Sequence, residues 1–103
     1  MHKLTRVTAI PKSVKERVLE RDGGKCVLCG RNNGEPNAHY IGRAHGGKGI
    51  EQNILTLCRR CHDAYDNGAD RKEIRQTLKA YLESKYDDWN EEQLIYSKWE
   101  VFK

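Results

Sequence analysis

Apolar residues recur along this chain in short blocks, and the spacing inside each block predicts an element. In IPKSVKERVLERDGG, residues 10–24, Val14, Val18 and Leu19 share a helical face, and Gly23-Gly24 end the helix. KCVLCG follows as a tight turn. PNAHYIG and NILTLC read as two short strands separated by the glycine-rich GRAHGGKG. After CRRCH the pattern becomes helical again, running through Tyr65 and stopping at Asn67-Gly68.

Further on, Asp70 and Glu73 have capping-box spacing ahead of a helix with Ile74, Leu78, Tyr81 and Leu82 as its buried stripe. A second box, Asn90 with Gln93, predicts a last helix containing Leu94, Ile95 and Trp99. Trp89, Tyr96 and Trp99 read as core rather than as stacking platforms. The order is helix, knuckle, β-hairpin, helix, then one or two C-terminal helices, an α+β arrangement. The 103 residues suit a single domain, 1–103, with a core over about 10–68 and a helical extension over about 69–103.

Composition narrows the class. The chain is 33% charged and 37% hydrophobic, polar without the depletion that marks disorder. No apolar run approaches the roughly 18 residues of a membrane span, and MHKLTRVTAIPK lacks a signal-peptide core. The expectation is therefore a cytoplasmic protein with no membrane partner, where paired cysteines hold metal more often than they form disulfides. Residues 1–62 carry 12 Lys/Arg against 5 Asp/Glu, whereas residues 63–103 carry 7 against 10. The basic excess thus lies with all four cysteines and all four histidines, which suggests a polyanionic partner such as nucleic acid. A merely solubilising surface charge is the plainer reading.

Cys26, Cys29, Cys58 and Cys61 form two C-x2-C pairs with 28 residues between them. Each pair supplies two thiolates from a compact turn, and four soft ligands suit structural zinc. Two matched pairs with no leftover cysteine argue against a disulfide or a redox CxxC, and the βαβ context of a thiol oxidoreductase is missing. The long gap leaves room for a hairpin, with the second pair at the start of a helix: a treble-clef arrangement. Such a site has no open position for chemistry.

His39, Asn53, His62 and Asp66 then need explaining. The first lies in a strand, the second begins the next strand, and the third opens the following helix. His62 and Asp66 are i and i+4, neighbours on one helical face that can share a divalent cation.

The stretch AHYIGRAHGGKGIEQNILTLCRRCHDAYDNG resembles the HNH motif of the His-Me finger (ββα-metal) endonucleases, in the variety with a four-cysteine zinc site. VKERVLERDGGKCVLCG is similar to the segment that often precedes it in small phage and prophage members, and YLESKYDDWNEEQLIYSKW to their tail. The resemblance spans about residues 10–68, and its signature is H-x13-N-x8-H set inside paired CxxC. It implies His39 as general base, Asn53 orienting that histidine or assisting the metal, and His62 as ligand to a catalytic divalent cation. Asp66 stands where the family often has another ligand.

The resemblance further implies Mg2+ or Mn2+ as that cation, DNA as substrate and partner, and a homodimer or a phage packaging complex as further assemblies. Arg43, Lys48, Arg59 and Arg60 are candidates to position a phosphate backbone. Many family members carry Asp or His before the base, where this chain has Ala38. Either the ion relies on His62, Asp66 and water, or Asn37, Asn53 or His45 helps, or the site is weakened; His45 in its glycine-rich loop has the blander reading of a solvated side chain. His2 is assigned nothing. The competing function is a non-catalytic four-cysteine zinc module that binds DNA or a protein partner.

Overall fold

The structure, a computed structural model, describes residues 3–96. Two helices come first, α1 (Lys3–Thr8) and α2 (Lys12–Arg21); a hairpin of β1 (Glu35–His39) and β2 (Ile54–Leu57) follows, then α3 (Arg59–Asn67) and α4 (Arg71–Lys85). Short 3-10 turns occupy Arg43–His45 and Glu91–Leu94. The α+β class with a two-stranded sheet agrees with the sequence pattern. His2 and Trp99 lie outside the described residues.

α2 begins after extended Pro11, which cannot continue a helix backwards, and ends where Gly23 and Gly24 take φ of +68° and +70°. Val14 and Val18, one turn apart, are buried against Ile54 with Ile10 alongside. Leu19 does not join them and is 38% exposed. It stands about 100° around the helix from Val18, beyond the narrow stripe that meets the hairpin.

The antiparallel ladder pairs Glu35 with Leu57, Ala38 with Leu55 and His39 with Ile54, with a register shift between Glu35 and Ala38. Pro36 sits at that shift; it has no N–H for the ladder, so one extra residue is accommodated there. All four residues of β2 are buried, because the hairpin is covered on both faces. Ile54 faces α2, while Leu55 and Leu57 join Ala38, Tyr40, Tyr65, Leu78, Leu82 and Leu94 in the main core. Residues opposite one another in a ladder share a face. Ala38 therefore points with Leu55 into the main core, and His39 points with Ile54 toward the α2 side.

The stripe of α4 is as expected: Leu78 and Leu82 are fully buried, with Ile74 and Tyr81 packed beside them. The two capping boxes differ from expectation. Asp70 has φ −93° and ψ 18° and its side chain caps nothing; only its carbonyl accepts, from the Ile74 N–H. A side-chain cap needs an extended backbone at that position, which Asp70 lacks. Asn90 is extended and does accept from the Gln93 N–H at 3.2 Å, but the turn it opens is 3-10 rather than α-helical. Leu94 is buried there, whereas Ile95 is 36% exposed and bridges to Gly47. Trp89 packs on the core edge-on to Tyr40 at 5.5 Å, its indole N–H donating to the Gln52 carbonyl.

A buried ion pair joins these layers. Arg21 donates to both carboxylate oxygens of Asp22, to the carbonyls of Glu51 and Ile54, and to the Tyr86 hydroxyl. Asp22 also accepts from the Thr56 N–H and the Tyr81 hydroxyl, so the end of α2 is tied to β2 and α4 together. No helix among the described residues is long and apolar enough to cross a membrane.

Candidate active site and metal centre

The first cysteine pair sits on a turn closed by the Gly30 N–H donating to the Cys26 carbonyl, with Gly30 at φ +77°. The Val27 N–H donates to the Thr56 carbonyl and docks this knuckle on β2. The second pair rides on α3: Cys58 is its N-cap and Cys61 lies in its first turn. One sulfur from each cysteine falls within 4.8 Å of all the others. Cys29 Sγ and Cys58 Sγ are 3.7 Å apart, and all four thiols are free. That separation is far beyond a disulfide bond of about 2 Å. It matches the edge of a tetrahedron with zinc–sulfur bonds of about 2.3 Å, which is about 3.8 Å.

Charge supports the same assignment. Burial disfavours the Cys26 thiolate, yet backbone hydrogen bonds from Cys29, Cys58 and Leu28 outweigh it and bring the thiol down to about 6. Burial and the neighbouring sulfurs push Cys61 up instead. Four sulfurs this close ionise together only around a cation. The donor set thus suits zinc, and Cys26, Cys29, Cys58 and Cys61 would hold it.

The His62 N–H donates to the Cys58 carbonyl, so the turn that starts at the metal site also sets His62. His62 and Asp66, one turn apart on α3, line a cleft of about 420 Å³ together with His39 and Asn37 of β1. Gly42, Arg43, Ala9, Ile10 and Lys15 complete its wall. His62 Nε2 and Asp66 Oδ2 are 3.3 Å apart. Two adjacent ligands of one octahedral cation with bonds of about 2.1 Å stand about 3 Å apart, so this pair fits a small divalent ion.

His39 is half-buried, with its Nε2 2.8 Å from the Thr8 carbonyl oxygen. A carbonyl can only accept, so Nε2 carries the hydrogen and a neutral ring keeps its lone pair on Nδ1. Burial lowers the His39 pKa; the Thr8 carbonyl opposes this, Arg43 and His62 reinforce it, and Asp66 opposes it.

The remaining residues singled out from the sequence separate clearly. Asn53 is fully buried and absent from the cleft lining. Its Oδ1 accepts from the Ile41 N–H, and its Nδ2 donates to the Ile41 and Lys48 carbonyls, which pins the chain just after His39. Ala38 is fully buried in the core, on the side of β1 away from His39. Of the alternatives for its position only Asn37 lines the cleft; His45 is exposed outside it. Of the four basic residues named, Arg43 lines the cleft, whereas Lys48, Arg59 and Arg60 do not.

Lys15 and Thr8 were not anticipated. Lys15 neighbours Val14 on α2 and is carried to the cleft rim by the packing of that helix, which its own surroundings in the sequence do not mark. Thr8 acts on His39 through its backbone, and a carbonyl leaves no trace in a residue pattern.

Residues 26–68 match the family model described as HNH endonuclease. The chain is also similar to a protein named Anaredoxin from Nostoc sp., 29% identical over 66 residues that cover 63% of this chain and 87% of that relative. The family match contains all four cysteines, both strands and all of α3 with His62 and Asp66. Residues 26–68 are thus similar to an HNH endonuclease domain, and within them four cysteines are placed to bind a metal ion.

Proposed function

We propose that this chain is a metal-dependent endonuclease that hydrolyses DNA phosphodiester bonds. The observation that carries the reading is the single cleft shared by His39, His62, Asp66, Lys15 and Arg43. A cleft with one proton acceptor, one cation-ligand pair and two positive charges suits attack of water on a phosphodiester. The excess of basic residues in the N-terminal half of the chain supports a polyanionic substrate.

His39 is the general base. With Nε2–H held by Thr8, Nδ1 is the atom that takes the proton of the attacking water. The lowered pKa keeps the ring neutral and receptive at neutral pH. A positioned base of this kind contributes roughly 10²–10⁴-fold. Asn53 orients His39 indirectly, by fixing the backbone at Ile41. His62 and Asp66 would hold a Mg2+- or Mn2+-type ion, which would supply Lewis-acid polarisation of the phosphoryl group and charge compensation for the departing 3′ oxygen. Arg43 and Lys15 attract and orient the phosphate backbone without reading bases. The four cysteines hold zinc as a structural element and take no part in the reaction.

Plasmid cleavage tests this. Purified zinc-loaded protein is incubated with supercoiled DNA in Mg2+, in Mn2+ and with neither ion, beside a His39→Ala protein. Nicking or linearisation that needs the ion and disappears in the variant is expected. Absence of cleavage with either ion, from a folded zinc-loaded protein that still binds DNA, would replace the nuclease with a zinc-dependent binding module.

A further inference from the structure

The C-terminal end of α1 is aimed at the cleft. The last carbonyls of a helix have no partner within it, and here they are used on other elements. The Val7 carbonyl accepts from the Gly49 N–H at 3.0 Å, and the Thr8 carbonyl accepts from His39 Nε2 at 2.8 Å. The approach is backbone to backbone: a Cβ at Gly49 would lie 1.9 Å from the Ala9 carbonyl oxygen. Thr8 itself is only 1% exposed. Its hydroxyl oxygen accepts from Arg43 Nε at 3.2 Å. One buried residue therefore holds His39 with its main chain and Arg43 with its side chain.

We infer that Thr8 is a positioning residue that sets the spacing between His39 and Arg43. The consequence for catalysis rests on the nuclease reading; the positioning itself does not. In-line hydrolysis needs the water's proton acceptor at a fixed offset from the phosphate, and small displacements are costly. Arg43 would otherwise be a long, exposed side chain with many rotamers. Held at Nε, its guanidinium presents the two terminal amino groups to a pair of phosphate oxygens, the bidentate use for which arginine is suited. The same residue fixes which ring nitrogen of His39 carries the hydrogen. Base and phosphate anchor are thus delivered as one unit by a segment that precedes the family-matched residues 26–68.

The test uses the full-length, zinc-loaded protein with Thr8→Val and Thr8→Ser. Valine keeps the carbonyl and the shape but loses the hydroxyl; serine keeps both polar groups. Thr8→Val is expected to raise KM and weaken DNA affinity without added Mg2+ or Mn2+ by roughly three- to tenfold, the loss of one hydrogen bond. Thr8→Ser should restore both values. A Thr8→Val protein equal to wild type, or a serine variant as impaired as valine, overturns the role of the hydroxyl.

The carbonyl is read separately, from the ring nitrogens of His39 by ¹⁵N NMR. Wild type at neutral pH should show the Nε2–H form alone, not the averaged pair of tautomers of a free imidazole. Gly49→Ala, which pushes Ala9 and with it Thr8 away, should convert that signal to the average. An averaged or Nδ1–H signal in wild type refutes the positioning whether or not Gly49→Ala folds. If wild type cleaves no DNA, the nuclease reading falls, while the NMR signal and the affinities measured without Mg2+ or Mn2+ still decide the positioning.

Discussion

His62 Nε2 and Asp66 Oδ2 face each other across one turn of α3 at 3.3 Å, in a wall of the cleft that also contains His39. The pair is exposed enough for an ion to enter between the two atoms. His62→Ala should lower cleavage by on the order of 10²-fold or more, comparable with loss of a general acid–base group. Asp66→Ala should lower it less, because water can replace one oxygen ligand, and excess Mg2+ should restore part of the rate. Neither side chain belongs to the core, so both variants should keep the wild-type melting temperature and one zinc per chain. A variant lacking His62 that cleaves normally would remove this pair from the mechanism.

Cys58 should behave in the opposite way. It is 2% exposed, supplies one sulfur of the metal set and forms the N-cap of α3. Structural zinc sites contribute on the order of 10 kcal/mol of apparent folding free energy, more than a small core supplies in surplus. Cys58→Ser, or removal of zinc with a strong chelator, should abolish the cooperative thermal transition. Activity is then lost as a consequence of unfolding. Circular dichroism melts with and without restored zinc distinguish this from the silent defect expected of His62→Ala.

Much of this arrangement was legible in the sequence, and the exceptions share a cause. The two CxxC pairs, the hairpin between them, α3 and the stripe of α4 follow from periodicity and ligand spacing, which are local. Which face of β1 is wet was not legible, because the irregularity around Pro36 changes the parity of the strand and only the ladder reveals it. The cap at Asp70 failed because residue type cannot report backbone angles. Lys15 reaches the cleft, and buried Thr8 reaches His39 and Arg43 behind it, through tertiary contacts between distant parts of the chain. The cleft lining was readable where side-chain spacing sets it and unreadable where backbone or tertiary contact does.

The Arg21–Asp22 pair carries a prediction about acid. The Asp22 side chain is fully enclosed, and burial would raise its pKa from 3.8; hydrogen bonds from Arg21 and Tyr81, with the Arg21 charge, outweigh this and leave it lowered. A carboxyl with a lower pKa folded than unfolded contributes stability that is complete above its ordinary range. That contribution is lost as pH falls through the folded value. Stability in excess zinc should therefore decline below about pH 4, with Asp22 responsible for part of the slope. Asp22→Asn should flatten that slope while costing about 3 kcal/mol or more at neutral pH, since Arg21 is left buried without its counter-charge. Urea titrations of both proteins across pH measure it, and parallel slopes would exclude Asp22.

Thr56 offers a stabilising change. Its hydroxyl is the only buried side-chain polar atom without a hydrogen-bond partner among the described residues. Thr56→Val preserves shape, suits a strand and removes the unsatisfied group. A gain of about 1 kcal/mol is expected, read as a higher urea midpoint with an unchanged slope. A loss instead would mean that the hydroxyl finds a water in solution.

The position before His39 allows the sharpest contrast between neighbouring residues. The HNH resemblance implies a ligand there, so Ala38→Asp looks like the natural way to strengthen the proposed cation site. Ala38, however, is fully buried beside Leu55 in the main core. An aspartate there would bury a carboxylate with no cation beside it, at a cost of several kcal/mol, and would not reach the cleft. Asn37 is the residue that lines the cleft, and its Nδ2 donates to Glu35 Oε2 at 3.1 Å. Asn37→Asp would replace that donor with a second carboxylate, and the two acidic groups would favour a divalent ion between them and the His62–Asp66 pair. Asn37→Asp should therefore lower the Mn2+ concentration needed for half-maximal binding, measured by calorimetry on zinc-loaded protein. Ala38→Asp should fail to fold or melt far below wild type. Tighter ion binding by Ala38→Asp with normal stability would mean that β1 turns residue 38 toward the cleft when the ion is bound.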